Sequence, residues 1–146
     1  MPTPTIQVVF DCADPARQAA FWSAALGYRL PDPPGGFADW QAWATAQGIP
    51  EERWNDFSAI EDPTGTRPRV FFQKVPEGKT AKNRVHLDVG VSGGRGVALE
   101  ERRRLVDAEV LRLKALGATD ERGAMERLGE YWVRMNDPEG NEFCVQ

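Results

Sequence analysis

The sequence holds one histidine, His86, among 146 residues. A metal centre built from several imidazoles of one chain is excluded, and any chemistry that needs an imidazole must use His86. Cysteine is nearly as scarce, with Cys12 and Cys144 the only two. Two thiols make no disulfide framework and suit a reducing compartment. No apolar run is long enough to cross a bilayer, so no membrane partner is expected. The opening Met1-Pro2-Thr3-Pro4-Thr5 has neither the basic stretch nor the apolar core of a secretion signal, and the expected location is cytoplasmic. Positive charge is not in excess either: 18 Lys and Arg stand against 22 Asp and Glu, a net charge of −4. That argues against a nucleic-acid partner, whose phosphates require a basic surface. Gly93-Gly94-Arg95-Gly96 lacks the rest of a phosphate-loop or dinucleotide pattern, so no phosphate is assigned to it.

What is present is an ordinary globular composition, 41% hydrophobic and 27% charged. A chain of this length buries roughly 68–70% of its unfolded surface and needs no staples. It is expected to make a single domain over 1–146, which an internal repeat divides into two modules. Asp62-Pro63-Thr64-Gly65 precedes an apolar run that ends at Gln73, and Asp137-Pro138-Glu139-Gly140 precedes one that ends at Gln146. Each reads as a tight turn feeding a strand. Upstream, Gly27 and Gly117 each stand where a helix would stop. Each half therefore reads strand, helix, strands, turn, strand, with module one over about 5–76 and module two over about 83–146.

Strands are expected at 5–12, 28–30, 57–61, 69–75, 84–91, 118–121, 130–136 and 141–146. A helix is expected from Asp14-Pro15 to Leu26, with Ala20, Phe21, Ala24 and Ala25 inward. A second runs over 97–116, with Leu99, Val106, Val110 and Leu113 at helical spacing. Arg102-Arg103-Arg104 beside Glu100-Glu101 reads as an exposed, ion-paired face of that helix. An insertion over about 32–56 carries Trp40, Trp43 and Trp54. It is read either as a lid over a sheet edge or as an aromatic wall of a ligand pocket.

Period-two alternation sorts the strand faces. Ile6, Val8 and Phe10 share one face and Gln7, Val9 and Asp11 the other. Val85, Leu87 and Val89 share one face, and His86 and Asp88 the other. On the strands that end the two halves, Arg69, Phe71 and Gln73 share a face, as do Glu142 and Cys144. Apolar faces should meet helices, which leaves the polar faces as the candidate binding surface. The candidate ligand-binding residues are Gln7, Gln73, Phe71, Glu142, Cys144 and the three insertion tryptophans. His86 and Asp88 project together and form a candidate base–orienter pair for catalysis; the alternative is a hydrogen-bonded scaffold histidine. Cys144, with no partner apparent from the sequence, reads as a small buried hydrophobe.

Three stretches carry a resemblance to a known family: Val8-Val9-Phe10-Asp11-Cys12-Ala13-Asp14-Pro15 with Leu26-Gly27-Tyr28; Lys82-Asn83-Arg84-Val85-His86-Leu87-Asp88-Val89; and Asp137-Pro138-Glu139-Gly140-Asn141-Glu142-Phe143-Cys144. The ordered set resembles the vicinal oxygen chelate superfamily, in its glyoxalase-like branch beside bleomycin-resistance proteins and extradiol dioxygenases. The resemblance implies an α+β fold: two βαβββ modules form a curved mixed sheet with a concave cleft and helices outside. It implies a homodimer and a small-molecule ligand or substrate. It also puts family metal-ligand positions at Gln7, Gln73, His86 and Cys144, with Glu142 replacing Cys144 if the last strand slips by two. His86, Gln7 and Glu142 are then the candidate ligands of a possible divalent metal. Carboxylates are missing from the positions where the family places them, which favours small-molecule binding without a firmly bound metal. The alternative is a metal-dependent lyase, isomerase or dioxygenase, and a third reading is an interaction module with no ligand.

Overall fold

The computed structural model describes residues 1–146, the side chain of Glu121 excepted. The chain forms two compact units, Met1–Gly78 and Lys79–Gln146. The first contains β1 (Val8–Cys12), α1 (Pro15–Leu26), α2 (Trp40–Ala46), β2 (Phe57–Ile60) and β3 (Val70–Lys74). Its sheet runs in the order β1-β3-β2, with β1 parallel and β2 antiparallel to β3. The second contains β4 (Asp88–Val89), α3 (Leu99–Ala115), β5 (Thr119–Arg127), β6 (Glu130–Asn136) and β7 (Glu142–Val145). Its order is β4-β7-β6-β5, with β4 parallel to β7. Each unit thus lays its first strand beside its last. The fold is α+β, with mixed sheets that are not closed into a barrel.

Helix α1 begins where the Asp14 carboxylate accepts a bond from the Arg17 amide at 3.2 Å, with Pro15 in its first turn. It ends at Gly27, whose φ of 67° is left-handed and costs a glycine little. Its buried stripe is Gln18, Phe21, Trp22 and Ala25, the i, i+3, i+4, i+7 set. The expected inward positions Ala20 and Ala24 are exposed and half-buried, because the stripe centres on Trp22 rather than on the alanines. Trp22 packs on Phe10 at 5.1 Å and Phe10 on Phe72 at 5.5 Å.

The strand expected at 28–30 is reduced to one bridge, Arg29 to Glu61. Pro31, Pro33 and Pro34 lack the amide hydrogens that would extend it. The strand expected over 84–91 has only Asp88–Val89 in regular pairing. Its ladder to β7 is carried by Cys144 N to Leu87 O at 2.9 Å and Gln146 N to Val89 O at 3.0 Å. Ahead of that ladder Val85 is exposed rather than inward, as is Ile6 ahead of β1. Strand β5, by contrast, is far longer than expected. Leu128 and Gly129 both take positive φ (53° and 76°), as a two-residue hairpin turn with the right twist requires. A register shift between Asp120 and Ala124 absorbs an irregularity at Gly123.

The repeated turns form alike. Gly65 N donates to Asp62 O and Gly140 N to Asp137 O, each at 2.9 Å. Both aspartates are buried and bond the turn with their carboxylates. In α3, Val106, Val110 and Leu113 are buried. Arg102 is buried as well, correcting the exposed reading of the arginine run. It donates to Val97 O, Gly129 O and Glu130, tying the helix to the β5–β6 turn. Arg103 pairs with Glu126, and Arg104 with Glu101, as expected of an exposed face.

Phe72 is fully buried and Leu111 is 70% exposed. Phe72→Ala is expected to cost about 3–5 kcal/mol, and Leu111→Ala to stay within about 0.5 kcal/mol. Urea unfolding midpoints check both.

Candidate functional site

In unit 1 the sheet face away from α1 is open. Val9 and Asp11 on β1 and Gln73 on β3 are exposed, and Phe71 is half-buried. The β1–β3 register seats Val9 beside Phe71 and Asp11 beside Gln73. The polar groups of this face satisfy each other across the strands. Arg69 donates to Gln7 Oε1 at 2.8 Å, and Gln73 Nε2 donates to Asp11 Oδ1 at 2.7 Å. Phe57 stacks on Phe71 at 6.0 Å, and the Arg69 guanidinium lies 5.8 Å from the Phe71 ring centre. A cavity of about 500 Å³ opens beside them, lined by Arg53, Asp56, Phe57, Gln73 and Lys74 with Val75 and Pro76.

The aromatic insertion is held by its own backbone. Trp40 Nε1 donates to Pro31 O at 2.7 Å and Trp54 Nε1 to Ile49 O at 2.9 Å. Trp40 and Trp43 meet edge to face at 5.3 Å. Asn55 closes the segment against α1, donating to Asp14 at 2.9 Å and accepting from the Ala16 amide at 2.8 Å. That Asn55 bond, followed by the Arg17 amide, holds the Asp14 carboxyl below its ordinary range.

Unit 2 gathers different chemistry. His86 Nε2 lies 3.2 Å from Asp88 Oδ1, both side chains well exposed. Parallel register places Asp88 beside Cys144, and antiparallel register places Arg134 on the other side of Cys144. One ligand atom each from His86, Asp88 and Cys144 lie within 4.8 Å of one another. Burial, and then the Asp88 carboxylate, push the Cys144 thiol up, against the pull of Arg134. Cys144 is therefore half-buried with a carboxylate and an imidazole at hand, not an isolated apolar filler.

Glu142 is occupied elsewhere. It pairs with Lys79 at 3.2 Å and accepts the Asn83 amide at 3.0 Å. Burial works against its ionisation, but the amides of Asn83 and of Glu142 itself, with the Lys79 ammonium, outweigh it and hold the carboxyl at about 2. Its carboxylate pins the start of unit 2. Gln7 lies in the first unit, bonded to Arg69.

The donor set His86, Asp88 and Cys144 fits a divalent ion. It offers an imidazole nitrogen, a carboxylate oxygen and a sulfur within 4.8 Å of one another, donor types that zinc-class ions accept. Asp88 as a neighbour of Cys144 was missed in the sequence reading. Its signal was present: His86 and Asp88 alternate onto one face, and pairing of first and last strands sets residue 88 against residue 144.

The sequence profile of the glyoxalase-like domain matches residues 7–146. No curated protein matches significantly. Among solved structures, the chain is similar to a hypothetical protein from S. aureus, 17% identical over 99% of this chain and 94% of that one, TM-score 0.62. It is similar to a glyoxalase/bleomycin resistance protein/dioxygenase family enzyme from Burkholderia phytofirmans PsJN, 17% identical over 95% and 94%, TM-score 0.61. It is also similar to a variant of the fosfomycin resistance protein FosX from Listeria monocytogenes, complexed with Mn(II) and 1S,2S-dihydroxypropylphosphonic acid. That match is 13% identical over 100% and 90%, TM-score 0.61.

Because the Glu142 carboxyl titrates at about 2 rather than its ordinary 4.5, the stability it adds is complete above 4.5 and fades as pH falls toward 2. Glu142→Gln is expected to flatten the acid limb between those values. Urea midpoints measured across pH for both proteins check it; parallel limbs would contradict the assignment.

Proposed function

The chain belongs to the glyoxalase-like domain family, and from that premise we propose that it binds a small polar organic molecule, anchored by His86, Asp88 and Cys144 on the open face of unit 2. The observation that carries this reading is the convergence of imidazole, carboxylate and thiol within 4.8 Å on a face that solvent reaches. Ligand sites are built from apolar surface with a few convergent polar groups. Unit 1 offers its own surface of that kind, with Val9, Phe57 and Phe71 bordered by the Gln7–Arg69 and Asp11–Gln73 pairs. The indole N–H groups of Trp40 and Trp54 are spent on local carbonyls, so these residues offer ring surface rather than donors.

The His86–Asp88 contact suits proton transfer. The carboxylate orients the ring, and the imidazole takes or returns a proton at Nδ1, the nitrogen not facing Asp88. A second reading, a metal-dependent lyase, isomerase or dioxygenase, is favoured by the donor set itself and by the Mn(II) complex of the FosX neighbour. His86, Asp88 and Cys144 would hold the ion, which supplies Lewis-acid polarisation of a substrate's vicinal oxygens. Gln7 and Glu142 are less suited to it, being engaged with Arg69 and with Lys79 and Asn83. A cytoplasmic homodimer completes the proposal, since sheet edges call for covering.

The test is a thermal-melt screen with 1,2-diols, 2-hydroxy acids, 2-oxo acids and 2-oxoaldehydes. At least one class should raise the melting temperature. Ligand at about 100 times Kd adds about 2.7 kcal/mol. His86→Ala and Asp88→Asn should each lose most of that shift. No shift with any class, or shifts untouched in both variants, would overturn the reading.

A further inference from the structure

We propose that the ligand of unit 2 is a small 2-hydroxy acid, its carboxylate held by Arg134 and its hydroxyl donated to Asp88. The proposal rests on the reading of the His86, Asp88 and Cys144 face as the binding anchor and deepens it by naming the substrate class.

The first support is a polarised row across the sheet. Register sets Asp88 beside Cys144 and Cys144 beside Arg134. Residues paired across neighbouring strands share a face, so all three project from the same side. Val133 and Met135, which flank Arg134 on β6, are buried. Tyr131, in phase with them, reaches Asp107 of α3. Arg134 therefore stands on the face away from the helix. The row carries an anion at one end, a thiol in the middle and a cation at the other. Strands lie about 4.8 Å apart, so the two charged residues are anchored about 10 Å apart, a gap that the long arginine side chain shortens.

The second support is the positive charge offered to an acid. Burial and the Asp88 carboxylate raise the Cys144 thiol, and the cations that oppose them are Arg134 and then Lys82. Glu142, the other carboxylate of β7, is engaged by Lys79 and the Asn83 amide, which offsets its repulsion of an incoming acid. Arg134 is half-buried, with Nε out of solvent, and lower local polarity strengthens a bond to an anion. Its planar fork of five N–H donors matches a carboxylate with two parallel bonds and can serve a neighbour and a ligand together.

The third support is what the two ends of the row select. The Asp88 carboxylate has lone pairs beyond the one that faces His86. It accepts from a hydroxyl and repels a second carboxylate. That fixes the direction of the ligand, acid toward β6 and hydroxyl toward β4. A 1,2-diol or a 2-oxoaldehyde brings no charge to Arg134, and a 2-oxo acid brings no donor to Asp88. Trp132 shares the face of Arg134 by alternation and pairs with Met125, so the ligand's carbon substituent meets apolar surface.

The experiment uses the full chain and two matched series: lactate, lactamide and propionate; mandelate, mandelamide and phenylacetate. The amides lack the charge, and the last member of each series lacks the hydroxyl. Calorimetric titration gives the dissociation constants. At least one hydroxy acid should bind at least about 10-fold more tightly than its amide and than its deoxy acid, the size of one charge-assisted hydrogen bond. Arg134→Gln should erase the preference for acid over amide and leave the amide's affinity in place. Arg134→Lys, which keeps the charge without the fork, should retain part of that preference. Asp88→Ala should erase the preference over the deoxy acid. Arg104→Gln, on the exposed face of α3, should change neither. Circular dichroism confirms that each variant is folded. An amide that binds as tightly as its acid, Arg134→Gln weakening acid and amide alike, or a hydroxyl preference that survives Asp88→Ala would overturn the proposal. His86-dependent melting shifts with diols or oxoaldehydes, where both hydroxy acids give none, would overturn it while leaving the binding reading in place. No shift with any class overturns both.

Discussion

Parallel pairing between the first and last strand of each unit is the constraint from which the remaining geometry follows. A parallel pair cannot be closed by a tight hairpin and needs a crossover, usually a helix. In unit 1 that crossover comprises α1, α2 and β2, and in unit 2 α3, β5 and β6. Once β1 lies beside β3 and β4 beside β7, alternation decides what each face carries. The helix side of unit 1 takes Phe10 and Phe72 with Trp22; in unit 2, Val106, Leu113, Val133 and Val145 are buried. The opposite faces receive the residues that repeat in kind rather than in type: Asp11 beside Gln73 in one unit, Asp88 beside Cys144 in the other.

The repeat has diverged in the chemistry that its two halves carry on their open faces. In unit 1 the polar residues of the open face bond one another, Gln7 with Arg69 and Asp11 with Gln73, leaving aromatic rings as its most available surface. In unit 2 the first and last strands bring together an imidazole, a carboxylate and a thiol, those of His86, Asp88 and Cys144. Structural carboxylates are kept apart from these. Asp62, Asp137 and Glu142 are each committed to backbone amides, and Asp62 and Glu142 also to a cation. Bonds to amides and cations favour a carboxylate's charged form.

Much of this was legible in the residues, and the reasons for the misses are physical. The Asp-Pro-x-Gly turns and the glycine stops at Gly27 and Gly117 declare themselves because few residues tolerate those conformations. The order of elements followed from them. Strand lengths did not, because pairing partners rather than propensity decide them. Pro31, Pro33 and Pro34 do mark the early end of one strand, though not its reduction to the Arg29–Glu61 bridge, and composition cannot say that Leu128 and Gly129 extend another into a long hairpin. Arg102 was read as exposed with its neighbours because a helix face shows charge but not the carbonyls of Val97 and Gly129 that receive it. The lone imidazole was assigned to an open face by alternation. Its pairing with Asp88 came from the same alternation, whereas the approach of Cys144 needed the register between strands far apart in sequence. That register seats a carboxylate, Asp88, beside Cys144 on the adjacent strand.

The account stands on His86, Asp88 and Cys144 acting as one site. Chemical-shift mapping with the small molecule that most raises the melting temperature tests that claim most directly. The backbone amide signals of His86, Asp88 and Cys144 should shift together, and the shifts should be lost in Asp88→Asn. Shifts confined to unit 1 would contradict it.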